Sequence, residues 1–259
     1  MDGLIESILA GDPRAVARAI TLAAEGGSEG RQVLAALGER RGAHRVGITG
    51  PPGVGKSTLI GCLVKALRER GERVGVVACD PASPVTGGAF LGDRMRMGGQ
   101  AGADPGVFIR SLSARGPGAD LPEAALAAAR ILEAAGFDRI LLETPGAGQN
   151  DVGLADSVDT VVVVLNPEAG DDYQVLKAGM IEMADVLVVN RSDRPGAGGL
   201  ARSLEEEVGS RSGGRPAPVV STVAIRGEGM PALLEALDAH RALRSAAAAG
   251  SVRSDGTRS

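Results

Sequence analysis

Apolar residues in the first forty positions recur at helical spacing. Leu4, Ile5, Ile8 and Leu9 form one face, and Val16, Ile20, Val33, Leu34 and Leu37 continue it between breaks at Gly11 and Gly26-Gly27. The spacing predicts a helical lead-in over 1–40. From residue 44 the period changes, and short apolar runs alternate with amphipathic stretches. This predicts strands over 44–50, 73–80, 107–112, 138–143, 160–165, 186–190 and 218–223. It predicts helices over 56–70, 122–135, 172–183, 200–208 and 230–243. The run Val161-Val162-Val163-Val164-Leu165 is apolar at every position, so a strand there has no wet face and must lie in a parallel sheet covered on both sides. The expected fold is an open, doubly wound, mainly parallel α/β sheet over 41–245. Residues 246–259 run from Ala into Gly, Ser, Arg and Asp without periodicity and are expected to be disordered.

Composition narrows the function. The 259 residues include no Trp, one Tyr and three Phe, so the core is built from Ala, Val, Leu and Ile, and stacked recognition of single-stranded nucleic acid has almost no platform. A net charge of -4 leaves no footprint for a polyanion. Nucleic acid is not an expected partner. Cys62 and Cys79 each sit inside an apolar periodic segment, where a small buried hydrophobe suits a reducing compartment. The first ten residues carry Asp2 and Glu6 and no basic run, and no apolar stretch reaches the span of a bilayer. These features predict a cytoplasmic protein with no membrane partner.

Between the first strand and its helix lies Gly50-Pro51-Pro52-Gly53-Val54-Gly55-Lys56-Ser57-Thr58, which fits G-x-x-x-x-G-K-[ST] in the context that a phosphate loop needs. Gly53 and Gly55 let successive N–H groups turn inward, the helix start adds positive potential, and Lys56 reaches β and γ phosphates. Ser57 is left for magnesium. A metal-bound triphosphate also needs hard oxygen ligands at the strand ends. Asp80, Asp93 and Glu143 are the candidates, although Asp80 before Pro81 also reads as a turn and Asp93 as a solvated loop acid beside Arg94 and Arg96. Glu143 opens Glu143-Thr144-Pro145-Gly146, which puts the Gly146 amide beside a γ-phosphate in the manner of a switch loop.

Asn190-Arg191-Ser192-Asp193 resembles the N-K-x-D base motif of GTPases, with Arg in place of Lys. The Asp193 carboxylate offers two acceptors for the N1–H and N2–H2 donors of guanine, and adenine has no matching pair. Arg191 can lay its stem or guanidinium over a base, but Arg and Lys are not equivalent there. Val223, Ala224 and Ile225 would back the base from the next loop. The other reading of the tetrapeptide is an N-x-x-D turn closing a strand.

Together these segments resemble the methylmalonyl-CoA mutase-associated GTPase family, MeaB or ArgK, over roughly residues 1–240. The resemblance rests on the phosphate loop, on Asp80-Pro81-Ala82-Ser83-Pro84 running into Leu91-Gly92-Asp93-Arg94-Met95, and on Glu143-Thr144-Pro145-Gly146-Ala147-Gly148-Gln149. Gly170-Asp171-Asp172-Tyr173-Gln174 and Lys177-Ala178-Gly179 extend it. It implies a P-loop NTPase that binds Mg2+, hydrolyses GTP to GDP, and serves as chaperone to a cobalamin-dependent acyl-CoA mutase. It also implies that Asp80 and Asp93 belong to switch I and the magnesium shell, Glu143 and Gly146 to switch II, and Lys177 to a third switch facing the partner, so that Lys56, Glu143, Gly146 and Lys177 form the catalytic set. The resemblance implies a homodimer as one possible state, although family members continue beyond the last helix into a dimerisation arm for which this sequence shows no counterpart.

Two other classes use the same loop. A small-molecule kinase would have no use for the motif at Asn190 to Asp193, and a nickel-insertion GTPase would need a His or Cys cluster. His44 and His240 are far apart in sequence and expected at the surface. In switch loops that orient water, a Gln follows the Gly directly, whereas here Ala147 follows Gly146 and Gln149 is displaced. Slow intrinsic turnover is therefore expected, and a nucleotide-gated scaffold with negligible turnover is its limiting case.

Overall fold

Each apolar run becomes a strand, and the strands join into one sheet. The computed structural model describes residues 1–39, 42–80, 104–113, 121–144, 157–168, 180–210 and 217–254. The strands are β1 (His44–Thr49), β2 (Val74–Asp80), β3 (Val107–Ser113), β4 (Arg139–Glu143), β5 (Thr160–Leu165), β6 (Val186–Val189) and β7 (Val219–Ser221). They lie in the order β3-β2-β4-β1-β5-β6-β7, and every pair is parallel. Along β5, Val161, Val163 and Leu165 enter one core while Val162 and Val164 enter the other, so alternation sorts an all-apolar strand between two helical layers.

The first layer holds α1 (Asp2–Leu9), α2 (Pro13–Ala24), α3 (Ser28–Leu37), α5 (Leu121–Ala134) and α7 (Ala197–Gly209). Ile8, Val16, Ile20 and Val33 share its core with Ile131 and Leu132, so the helical lead-in packs on the sheet domain. Leu9, expected on the same apolar face, is exposed, because one position beyond the buried Ile8 lies about 100° around the helix from it. The second layer holds α4 (Lys56–Glu69) and α8 (Met230–Ser254), with Leu59, Leu63, Leu67, Leu233 and Leu237 against Val46, Ile48 and Val76. A short α6 (Met180–Met183) closes the expected 172–183 helix; positions 172–179 lie outside the described residues. Helix α8 runs well past residue 243 to Ser254, so positions 246–254, expected to be disordered, are helical. Four alanines at 246–249 explain it, since Ala has the highest helix propensity and needs no amphipathic pattern. Residues 255–259 lie outside the described residues.

The histidines correct a second expectation. His44 is 1% and His240 8% exposed, and the Thr160 hydroxyl joins them, 2.7 Å from His44 Nε2 and 2.8 Å from His240 Nδ1. Arg139 Nη1 faces His44 Nδ1 at 2.6 Å. A guanidinium only donates, so His44 Nδ1 accepts and its proton sits on Nε2. Thr160 also lies against His240 Nδ1, and His240 Nε2 faces Asp185 Oδ1 at 3.0 Å. Arg139 also donates to Glu72 at 2.6 Å and to Asp238. Two residues distant in sequence are thus spent on one buried chain across the starts of β1, β4 and β5.

That chain makes stability depend on pH. Burial, then the charges of Arg139 and Arg241 and the neighbouring His240, lower the His44 pKa from 6.5 to about 3, against a raising effect of Asp238. The unfolded chain takes up a proton below 6.5 that the folded chain refuses until about 3, so His44 removes stability as pH falls through that window. Between pH 7 and pH 5 the expected loss from this group is about 2 kcal/mol. Urea melts at the two pH values check it, and His44→Gln should flatten the dependence. An equal loss in the variant would remove His44 as the cause.

Candidate functional site

At the end of β1 the chain turns at Gly50 and enters α4 at Lys56. Gly50 has φ 140°, and a Cβ there would lie 2.1 Å from the Val164 carbonyl oxygen on β5. Gly55 has φ 98°, and a Cβ there would lie 2.5 Å from the Asn190 side-chain nitrogen. Both glycines are therefore required by left-handed backbone and by close neighbours. No side chain caps α4 among the described residues, so its first amides face the loop that would hold an anion. Lys56 Nζ folds back into that loop and donates to the carbonyls of Gly50 at 2.7 Å and Pro51 at 3.1 Å. Pro51 and Val54 are buried, whereas Pro52, Gly53 and Thr58 are exposed along the rim.

The Ser57 hydroxyl donates to Glu143 Oε1 at 2.8 Å. Glu143 ends β4, in register with Ile48 of β1 and Ala78 of β2. Asp80 ends β2 two residues further along, at the same edge of the sheet. Asp93, Gly146 and Lys177 lie outside the described residues. A hydroxyl and a carboxylate at the phosphate end of the loop are the hard oxygen donors that Mg2+ takes.

Asn190 follows β6 and is the hub of the other half. Its Nδ2 donates to the Val54 carbonyl at 2.9 Å, while its Oδ1 accepts from the Ala224 amide at 3.1 Å and the Thr222 hydroxyl at 3.2 Å. One amide therefore ties phosphate loop, base motif and the loop after β7 into a single frame. Cys62 of α4 adds a second tie, its thiol donating to the Ala224 carbonyl at 2.7 Å. Burial pushes that thiol up, so it stays protonated and packs rather than reacts. Asn190→Ala should leave the Ala224 amide and the Val54 carbonyl unpaired and cost about 1–3 kcal/mol. Thermal melts check this, and an unchanged melting temperature would show that the hub holds nothing.

Arg191 adopts φ 54°, unusual for a side-chain-bearing residue, and this turn aims it away from the strand. Its guanidinium donates to the Gly53 carbonyl at 2.8 Å and to Glu168, so it braces the phosphate loop. Asp193, about one-third exposed, accepts from Arg226 Nη1 at 3.1 Å. Arg226 is also forked onto Glu228, whose carboxyl it holds below the usual range. Of the three backing residues, Val223 and Ala224 are buried, while Ile225 is 82% exposed and points outward. The structure thus gathers the phosphate loop, Ser57, Glu143, Asn190, Arg191, Asp193 and the 223–225 loop at the C-terminal edge of the sheet, around the strand where its order reverses. Glu168, Thr222, Arg226 and Glu228 belong to the same edge and were not expected there. The only signal for them is proximity to motif residues in sequence, which names no role.

Residues 16–258 match the family model described as Methylmalonyl Co-A mutase-associated GTPase MeaB. A Pyrococcus horikoshii protein that carries a GTPase name is 46% identical over 248 residues, covering 93% of this chain and 78% of that protein. The fused isobutyryl-CoA mutase of Nocardia farcinica is 39% identical over 209 residues, covering 79% of this chain and 19% of that protein. The solved structure of an LAO/AO transport system kinase superposes with TM-score 0.75 over 95% of this chain and 76% of its own, at 22% identity, a likeness of fold alone. A parallel sheet that carries its phosphate loop at the switch point and a family match running almost the length of the chain agree, and the chain belongs to the methylmalonyl-CoA mutase-associated GTPase family MeaB.

Proposed function

We propose that this chain binds GTP across the edge described above, hydrolyses it slowly, and acts as a nucleotide-gated chaperone of a cobalamin-dependent acyl-CoA mutase, controlling cofactor loading and protecting the mutase. The observation that carries the mutase half is the Nocardia relative, in which a segment resembling most of this chain lies within a protein named a fused isobutyryl-CoA mutase. The nucleotide half rests on the frame that Asn190 builds between the phosphate loop and the base motif.

On this reading Lys56 exchanges the carbonyls of Gly50 and Pro51 for β and γ phosphate oxygens when GTP enters. Ser57 and Glu143, with Asp80 and Asp93, would hold Mg2+, which when bound offsets the charge of the β and γ phosphates. The Gly146 amide meets the γ-phosphate, and Lys177 carries its state to the partner. Asp193 reads the base, and the loop of Val223, Ala224 and Ile225 backs it. A nickel-insertion role is disfavoured by the histidines, since both ring nitrogens of each are engaged in the buried chain through Thr160.

The test is binding of purified methylmalonyl-CoA and isobutyryl-CoA mutases to this protein loaded with GDP or with a non-hydrolysable GTP analogue. Capture of one mutase with an affinity that changes between the two nucleotides is expected. Failure to bind either mutase in either state would overturn the chaperone reading.

A further inference from the structure

The carboxylate assigned above to guanine is already in use. Asp193 Oδ2 accepts from Arg226 Nη1 at 3.1 Å. Arg226 is held in place, for its Nε donates to Glu228 Oε1 at 2.6 Å and its Nη2 to Oε2 at 3.3 Å, a two-point fork. Glu228 is fixed in turn by its backbone: its carbonyl accepts from the Val223 amide at 3.1 Å, and its own amide donates to the Val223 carbonyl at 3.3 Å. The return is forced by Gly229, at φ 82°, where a Cβ would lie 2.2 Å from the Ser221 carbonyl oxygen. Arg226 ends the short 3-10 turn Ala224–Arg226, whose first amide is bound by Asn190. The turn that completes the base site therefore also delivers a guanidinium to its carboxylate.

The chemistry of that contact matches the ligand. A guanidinium presents N–H donors from neighbouring nitrogens of one plane, as guanine does with N1–H and its 2-amino group. A carboxylate engaged by one set has fewer acceptors for the other. We infer that Arg226 is an internal stand-in for the guanine base, occupying Asp193 in the nucleotide-free protein, so that guanine has to displace it and Glu228 keeps the released guanidinium at the rim. Arg226 thereby lowers affinity for guanine nucleotides specifically. Adenine carries no donor pair for Asp193 and does not enter the competition. The inference rests on the assignment of Asp193 to the base, and its test separates the two.

GDP and ADP affinities are measured by calorimetry for wild type, Arg226→Ala, Asp193→Asn and the double variant. Arg226→Ala should tighten GDP roughly two- to fivefold, the scale of an exposed ion pair, and leave ADP unchanged. In the Asp193→Asn background the same substitution should give no gain, because there is no carboxylate left to contest. If Asp193→Asn weakens GDP while Arg226→Ala leaves it unchanged or weakens it, the stand-in is overturned and the base assignment survives. If Asp193→Asn leaves GDP affinity intact, the base assignment fails and the stand-in fails with it. A gain that persists in the double variant also overturns the stand-in, since it then owes nothing to Asp193.

Discussion

Lys56→Ala is expected to abolish triphosphate binding while the nucleotide-free protein stays folded. On the proposed reading the ammonium is the one side-chain charge that the loop itself supplies to the β and γ phosphates, and charge-assisted bonds of this kind are among the strongest a site makes. Losing two of them should cost about 3–5 kcal/mol, a hundredfold or more in affinity. Stability is spared for a structural reason. Without nucleotide, Lys56 donates to the carbonyls of Gly50 and Pro51, in a loop whose Pro52 and Gly53 lie at the surface. Water can serve those carbonyls once the side chain is removed. Leu59, Ile60 and Leu63, which seat α4 on the sheet, are untouched. Calorimetry with a GTP analogue and a thermal melt of the nucleotide-free variant measure both halves. Unchanged affinity would remove the phosphate-loop assignment.

Asp193→Asn should reverse base preference. On the proposed base assignment the aspartate accepts guanine N1–H and N2–H2, whereas the amide presents a donor to one of those donors and gives up the charge, so GTP should weaken by about 1.5–3 kcal/mol. Xanthine has a carbonyl where guanine has the 2-amino group, so the new amide donates to it and its oxygen still accepts from N1–H. The variant should therefore prefer XTP. Loss of the ion pair to Arg226 accompanies the substitution, which frees the guanidinium to Glu228 but offers guanine nothing in exchange. Affinities of both proteins for GTP, XTP and ATP decide the matter, and a wild type that prefers ATP would contradict the assignment.

How far the structure could be read in advance depended on whether a residue's role is local. The run at 160–165 becomes β5 with the same bounds, because a strand that is apolar on both faces has one physical solution. The phosphate loop was equally legible, since Gly50 and Gly55 are demanded by backbone torsion at fixed spacing. Roles that arise only when distant segments meet left no such mark. His44 and His240 looked like surface residues because Thr160 and Arg139, which satisfy them, sit on other strands. Arg191 braces Gly53, a partner far away in sequence, and its place in the base motif does not announce that bond. Asn190 was read as part of a base motif, yet its largest share of bonds fastens three loops together. The helix past residue 243 was missed for the opposite reason: alanine is helical without any pattern to read.

The proposal that GTP hydrolysis serves a mutase is tested most directly by steady-state GTP turnover of the purified protein, alone and with a cobalamin-dependent acyl-CoA mutase. With Ala147 rather than Gln after Gly146, the protein alone should hydrolyse GTP slowly, and a cognate mutase should accelerate it severalfold by reordering the switch segments. Rapid turnover by the protein alone, unchanged by either the methylmalonyl-CoA or the isobutyryl-CoA enzyme, would contradict the account.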